Sequence, residues 1–397
     1  MEDNKALVEE LRRQVIGTVD MSEEIQDDVL HEVIDSVIDK KKMEMPLSVY
    51  ERISIHKQIF DSMRGLGIIT ELLSDDEITE IMVNSAEDIF VERCGLIEKV
   101  DGCFFSGEQL EDVIQQIAAM ANKRVNQTNP IVDTRLSDGS RVNIVLNPIS
   151  IEGSAVTIRK FPKESITMEK LILLGSITKE AADFLQSLVK AGYNIIISGG
   201  TGTGKTTFLN ALSDYIPSNE RIITIEDSAE LRLHNVENII RMEVRQQNVE
   251  GKNGISIRDL IRTSLRMRPD RIIVGEVRGG EAIDMLQAMN TGHEGSLSTG
   301  HANSARDMLS RLAVMCLMGA DIPMSAIMGQ ISSAVDIVVH LGRFRDGSRG
   351  VVEICEVGEI KHGEIETNSI FVREKGVGGS LSFTGNKLVN RKKLERI

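Results

Sequence analysis

The run Gly199-Gly200-Thr201-Gly202-Thr203-Gly204-Lys205-Thr206 fits the pattern G-x-x-x-x-G-K-[ST] at every fixed position. An apolar stretch, Asn194-Ile195-Ile196-Ile197-Ser198, precedes it, and Thr207-Phe208-Leu209-Asn210-Ala211-Leu212 follows with the character of a helix. Strand, glycine-rich turn and helix are the context a phosphate-binding loop needs. Glycines leave backbone N–H groups free to turn toward a phosphate chain, and the helix start adds positive partial charge at the same place. Gly200, Thr201, Gly202, Thr203 and Gly204 supply the cradle. Lys205 can reach β- and γ-phosphates, and the Thr206 hydroxyl, with Thr207 beside it, can ligate Mg²⁺. A glycine-rich turn that binds nothing would leave the Lys-Thr register unexplained.

Working outward, apolar strands and helices alternate from Thr167 onward. The pattern predicts strand 195–198, helix 205–213, strand 221–226, helix 256–267 and strand 271–275. Helix 280–290, strand 296–299, helix 304–316 and strand 336–341 follow. Alternation at this spacing predicts a parallel sheet covered on both faces. Upstream, strand-like pieces at 78–83, 89–93 and 95–100, a helix over 106–121 and a strand-rich part from 130 to 159 predict a smaller α/β domain. Phe161-Pro162-Lys163-Glu164-Ser165 reads as the linker between the two. Residues 1–44 hold 13 acidic and 6 basic side chains, a net of −7 out of −14 for the chain. Their apolar residues recur at helical spacing, so this is a helical module, packed on its own body or serving as a docking arm for a basic partner. Pro46 ends it. The expected divisions are 1–60, 61–160, 161–345 and a strand-prone tail, 346–397.

With 397 residues and 41% hydrophobic content the chain can build packed cores. A net charge of −14, 3% aromatic residues and no Trp argue against a nucleic-acid partner. The four cysteines, Cys94, Cys103, Cys316 and Cys355, make no C-x-x-C, which speaks against a zinc ribbon and for a reducing cytoplasm. The acidic N-terminus is no signal peptide, and no apolar run nears the ~18 residues of a membrane span. Membrane contact is therefore expected only through partners.

Cleaving a bound phosphate needs a carboxylate for Mg²⁺, a group that orients water and positive charge for the transition state. Arg271-Ile272-Ile273-Val274-Gly275-Glu276 is an apolar strand ending in an acid, and Glu276 must carry the metal role because the usual Asp is missing. Ile222-Ile223-Thr224-Ile225-Glu226-Asp227 ends a second strand. Glu226 can accept a proton from water or merely cap a helix that follows. His293 and His301 flank a further strand-like segment, without the spacing of a zinc site. Arg258, Arg262 and Arg266 share a helix face, as phosphate contacts or as a salt-bridged surface. Arg135, Arg141 and Arg159 in the first domain can complete a site from a neighbouring subunit.

Taken in order, the phosphate loop, Ile225-Glu226-Asp227-Ser228-Ala229-Glu230-Leu231, Val274-Gly275-Glu276-Val277-Arg278 and Thr291-Gly292-His293-Glu294-Gly295 through His301-Ala302-Asn303 resemble four boxes. These are the Walker A, Asp, atypical Walker B and His boxes of the type II/IV secretion and type IV pilus ATPases. Arg266-Met267-Arg268-Pro269-Asp270-Arg271 and His301-Ala302-Asn303-Ser304 are most similar to the CpaF-type branch, which powers Flp (tight-adherence) pilus assembly. The resemblance covers about residues 60–345. It implies an α/β fold with a RecA-like phosphate-loop domain behind a PAS-like N-domain, assembled as a homohexamer with ATP between subunits and domains. By the same resemblance, Glu226 is the general base, Glu276 the Walker B acid, and His301 the sensor of the γ-phosphate, supported by His293. Arg135, Arg141 and Arg159 reach the nucleotide, their division of labour open. The chain lacks the tetracysteine insertion of the general secretory branch, and Ser228-Ala229 replaces a more usual proline-containing pair.

The expected function is an ATP- and Mg²⁺-dependent motor at the cytoplasmic face of the inner membrane. It would act on a platform protein in pilus assembly or protein secretion. A nucleotide-gated scaffold with little turnover and a RecA-like nucleic-acid motor are the alternatives. A GTPase fits less well, because Asn386-Lys387 lacks the guanine-reading Asp.

Overall fold

The computed structural model describes residues 2–18, 26–42, 47–93, 95–161, 166–245, 247, 253–374 and 379–396. Pro46, Cys94 and positions 162–165 of the expected linker lie outside them. The chain divides into two compact units, residues 1–163 and 164–397.

In the first unit, α1 (Glu2–Thr18), α2 (Asp27–Lys42) and α3 (Val49–Arg64) enclose a core of their own from Leu11, Val15, Leu30, Ile34, Ile38, Ile55 and Ile59. The helical spacing of these residues puts them on one stripe of each helix. Ser48 starts α3: its hydroxyl accepts from the Glu51 amide, and the Glu51 carboxylate accepts from the Ser48 amide. After α4 (Ile68–Ser74) come β1 (Ile78–Val83), β2 (Ile89–Arg93), β3 (Leu96–Lys99), α5 (Gly107–Met120), β4 (Ile131–Arg135), β5 (Arg141–Val145) and β6 (Ala155–Arg159). The strands pair antiparallel in the order β3-β2-β1-β6-β5-β4. Every second residue (Ile81, Val142, Ile144, Val156, Ile158) turns into a core shared with Leu110, Val113, Ile114 and Ile117 of α5. Polar residues of the same strands take the other face.

The second unit opens with α6 (Met168–Leu173), α7 (Lys179–Lys190), β7 (Ile195–Gly199), α8 (Lys205–Ser213), β8 (Ile222–Glu226), β9 (Ile239–Glu243), α9 (Ile257–Ser264) and β10 (Arg271–Val274). It continues with α10 (Glu281–Asn290), β11 (Leu297–Gly300), α11 (Ala305–Gly319), α12 (Met324–Ala334), β12 (Ile337–Arg343), β13 (Arg349–Lys361), β14 (Glu364–Arg373) and β15 (Leu381–Phe383). The sheet order is β15-β14-β13-β12-β7-β11-β10-β8-β9. From β9 to β12 all pairings are parallel, and from β12 to β15 all are antiparallel. Ile195 and Ile197 enter the core on one face and Ile196 the core on the other. Burial on both faces is why β7, β8 and β10 read as continuous apolar runs. Four elements of this unit before β13 lie outside those the sequence pattern lists: α6, α7, the half-buried edge strand β9, and α12, whose run of Ser, Ala and Gly carries a weak period. The strand-prone tail supplies β13 to β15 to this same sheet. No helix among the described residues is long and apolar enough to cross a membrane.

Candidate active site

Parallel strands bring the carboxyl ends of β7, β8, β10 and β11 to one edge, where an open α/β sheet offers its crevice. The phosphate loop starts there. At Gly199, φ is 155°, and a Cβ would stand 2.7 Å from both the Leu341 carbonyl oxygen and Thr203 Oγ1. The chain then turns left-handed at Gly202 and Gly204 and enters α8 directly. Thr203 Oγ1 and Lys205 Nζ each donate to the Gly200 carbonyl at 2.9 Å, so the loop is wound around its lysine. Lys205 is only 8% exposed. Burial lowers its pKa, and the nearby Glu276 carboxylate partly restores it. Thr206 and Thr207 follow in the first turn of α8, both half-buried.

Glu226, at the end of β8, is 3% exposed. Its Oε2 accepts from the amides of Glu230 at 2.7 Å and Leu231 at 3.0 Å, which closes the turn through Ser228-Ala229. No helix is capped, because residues 227–238 run as bends and loop; the two amides nevertheless fix the carboxylate at the sheet edge. Gly275 makes the space: a Cβ there would lie 2.9 Å from Glu226 Cγ. Its amide donates to Ile225 at 2.8 Å, and its carbonyl accepts from Thr299 Oγ1 at 2.7 Å.

Glu276 comes next. Its Oε1 lies 2.7 Å from His301 Nε2, and its Oε2 accepts from Arg278 Nη2 at 2.8 Å. Arg278 Nη1 is 3.9 Å from Asp227, and the hydrogen bond to Glu276 raises the guanidinium's pKa. His301 Nδ1 lies 3.3 Å from Lys205 Nζ. An ammonium has only protons to offer, so Nδ1 is the acceptor in that contact. Burial lowers the His301 pKa, in keeping with a neutral ring. The structure thus assembles Lys205, His301, Glu276 and Arg278 into one chain of contacts beside Glu226. Arg278 has no role in the sequence reading. Its signal was its place two residues past Glu276.

His293 is a correction. It precedes β11, whereas His301 follows it, and a four-residue strand spans about 13 Å. His293 sits at the opposite edge of the sheet from the phosphate loop, its Nδ1 3.2 Å from the Ala288 carbonyl. Within this chain it gives His301 no support. Arg258 and Arg262 are a second outcome: both pair with the buried Asp284 of α10, at 2.6 and 3.0 Å, so they tie α9 to α10. Arg266 is exposed.

In the first unit, register places Arg135 opposite Arg141 and Arg141 opposite Arg159. The three guanidinium-bearing positions form one row across β4, β5 and β6, on the face turned away from the core.

Thr206 and Glu276 are hard oxygen donors, the chemistry that suits Mg²⁺ when phosphate oxygens and water complete its shell. The fold and this site define a phosphate-loop nucleoside triphosphatase of the RecA-like kind. Residues 62–371 match the model of the family described as type II/IV secretion system protein, and the chain belongs to that family of secretion and pilus ATPases. It is 35% identical over 296 residues to the type IV secretion system protein PtlH of Bordetella pertussis, covering 68% of this chain and 87% of PtlH. It is 32% identical over 299 residues to the conjugal transfer protein TrbB of Rhizobium radiobacter, covering 74% and 88%. The structure of the pilus retraction motor PilT with bound ADP shares the fold, with a TM-score of 0.53 at 20% identity over 83% of this chain and 86% of that one.

Proposed function

We propose that the chain hydrolyses ATP to ADP and phosphate as a homohexamer and passes the resulting domain motion to an inner-membrane platform, in pilus assembly or protein secretion. The observation that carries this is the chain of contacts from Lys205 through His301 to Glu276 at the phosphate loop, with Glu226 held against Gly275 on the neighbouring strand. Loop amides and Lys205 hold the triphosphate. Glu226, held rigid by two amides, takes a proton from the attacking water. His301 already lies between Lys205 and Glu276, so a γ-phosphate entering beside Lys205 must displace or recruit it; that makes it the sensor. Thr206 and Glu276 would hold Mg²⁺, which when bound neutralises charge on the β- and γ-phosphates.

The arginine row on β4, β5 and β6 supports a contribution from the first unit. Guanidinium groups set side by side suit bidentate contact with phosphate oxygens. Arg135, Arg141 and Arg159 are the candidates, supplied within the chain or from a neighbouring subunit. The runs Arg266–Arg271 and His301–Ser304 favour the CpaF-type branch. The same reading puts the protein in the cytoplasm, at the membrane's inner face through partners, with no nucleic acid involved.

Steady-state phosphate release by the purified protein with Mg²⁺ and ATP tests this. Turnover well above background, abolished by Lys205→Ala and by chelation of Mg²⁺, is expected. Saturable ATP binding with no release would leave a scaffold and refute the motor.

A further inference from the structure

Arg278 has no part in the chemistry proposed above, yet it touches the acid on which the metal depends. Its main chain is anchored on both sides. The buried Val277 donates its amide to the Thr299 carbonyl at 3.0 Å. The Glu281 carboxylate, at the start of α10, accepts from the amides of Arg278 at 2.7 Å and Gly279 at 2.8 Å. The side chain, in contrast, is 64% exposed, an arm on a fixed base. Two carboxylates lie within its reach, just past the ends of the neighbouring strands β10 and β8: Glu276 Oε2 at 2.8 Å and Asp227 Oδ2 at 3.9 Å. The other oxygen of Glu276 stands 2.7 Å from His301 Nε2. Both oxygens of this acid thus already face a protein nitrogen. The two nitrogens differ in charge. His301 Nδ1 accepts from Lys205, so its ring brings no net charge. The Arg278 guanidinium brings a whole positive charge that no ordinary pH removes.

We infer that Arg278 competes with the divalent cation for Glu276, and so is a positioning residue that sets how much the metal adds to nucleotide binding. This rests on the reading of Glu276 as the metal-holding acid. A carboxylate whose charge is already met by a guanidinium attracts a second cation less strongly. The coupling is reciprocal: what Arg278 takes from the metal's affinity, the metal takes from the pair of Arg278 and Glu276. Asp227 offers the guanidinium another carboxylate beside the site, so Arg278 can give up Glu276 and still lie near a negative charge. Its exposure lets the arm move without opening the core, and water screening keeps the pair weak enough to exchange.

The test is a set of affinities on the full-length protein: the Kd for a non-hydrolysable ATP analogue with EDTA, divided by its Kd with Mg²⁺. That ratio is the metal's contribution to binding. Arg278→Ala should raise it at least about threefold. Arg278→Lys keeps the charge and should stay within about twofold of wild type. Should Arg278→Ala not fold, Arg278→Gln, a neutral donor, must raise the ratio in the same way. Glu276→Gln should lower the ratio, and adding Arg278→Ala to it should change nothing further, because both residues act through one carboxylate. A ratio in Arg278→Ala at or below that of wild type would overturn the inference. So would an equal rise in the Glu276→Gln background, which would mean that Arg278 acts on phosphate and not on Glu276. A ratio untouched by Glu276→Gln alone would remove Glu276 from the metal and the inference with it. Analogue binding that follows these expectations without any phosphate release would refute the motor and leave the inference standing, so the two readings fail separately.

Discussion

The carboxylate of Glu226 depends on a residue that has no side chain. Gly275 occupies the place where a Walker B strand ordinarily ends in Asp, and its missing Cβ is the space through which Glu226 passes. Gly275→Ala should push Glu226 out of line and lower kcat at least about tenfold while nucleotide Kd changes little. Isothermal titration beside phosphate-release assays would check it, and equal losses in both would mean that the strand itself had shifted. His340, on β12 with its Nδ1 2.7 Å from the Ser198 hydroxyl, makes a pH prediction. Its pKa is lowered by burial, so below about 6.5 the folded chain binds fewer protons than the unfolded one. The stability it contributes is complete above that pH and is lost as pH falls through its folded value. Melting curves of the nucleotide-free protein should therefore drop between about pH 7 and 5, and less steeply in His340→Gln. The loop and the two acids were legible in sequence because their chemistry fixes residue types at adjacent positions. His340 was not, since Ser198 lies 142 positions away and meets it only through β-sheet register. His293 was misplaced because nearness to His301 along the chain cannot say which end of a short strand each residue takes.

At the scale of elements, Asp284 is the pin that joins α9 to α10. It is nearly buried, while Arg258 and Arg262 remain 36% and 59% exposed, so solvent screening moderates what the pairs contribute. Asp284→Ala should cost about 1–2 kcal/mol, a fall of a few degrees in Tm for a domain of this size, with ATP affinity unchanged. A loss of nucleotide affinity without a change in Tm would restore these arginines to the site. The helices and parallel strands were readable from period and from apolar runs. Beyond α6 and α7, what stayed hidden was β9, whose half-buried pattern lacks such a run, and α12, whose apolar stripe is blurred by small residues. The addition of β13 to β15 to the main sheet was hidden too, because strand pairing is a long-range choice that local pattern does not encode.

The whole chain holds a phosphate-loop unit and a unit whose sheet presents a row of three arginines. Arg141→Ala, in the middle of that row, should lower turnover at least about tenfold without altering the melting temperature or the oligomer measured by sedimentation with ATP. An unchanged rate would remove the first unit from catalysis. The central claim is that ATP held by the loop and Lys205 is cleaved with Glu226 as the base. It is met most directly by measuring phosphate release and ATP affinity together in Glu226→Gln. The account predicts release reduced by at least about a hundredfold with Kd within about threefold of wild type. Release at the wild-type rate from a protein that still binds ATP would contradict it.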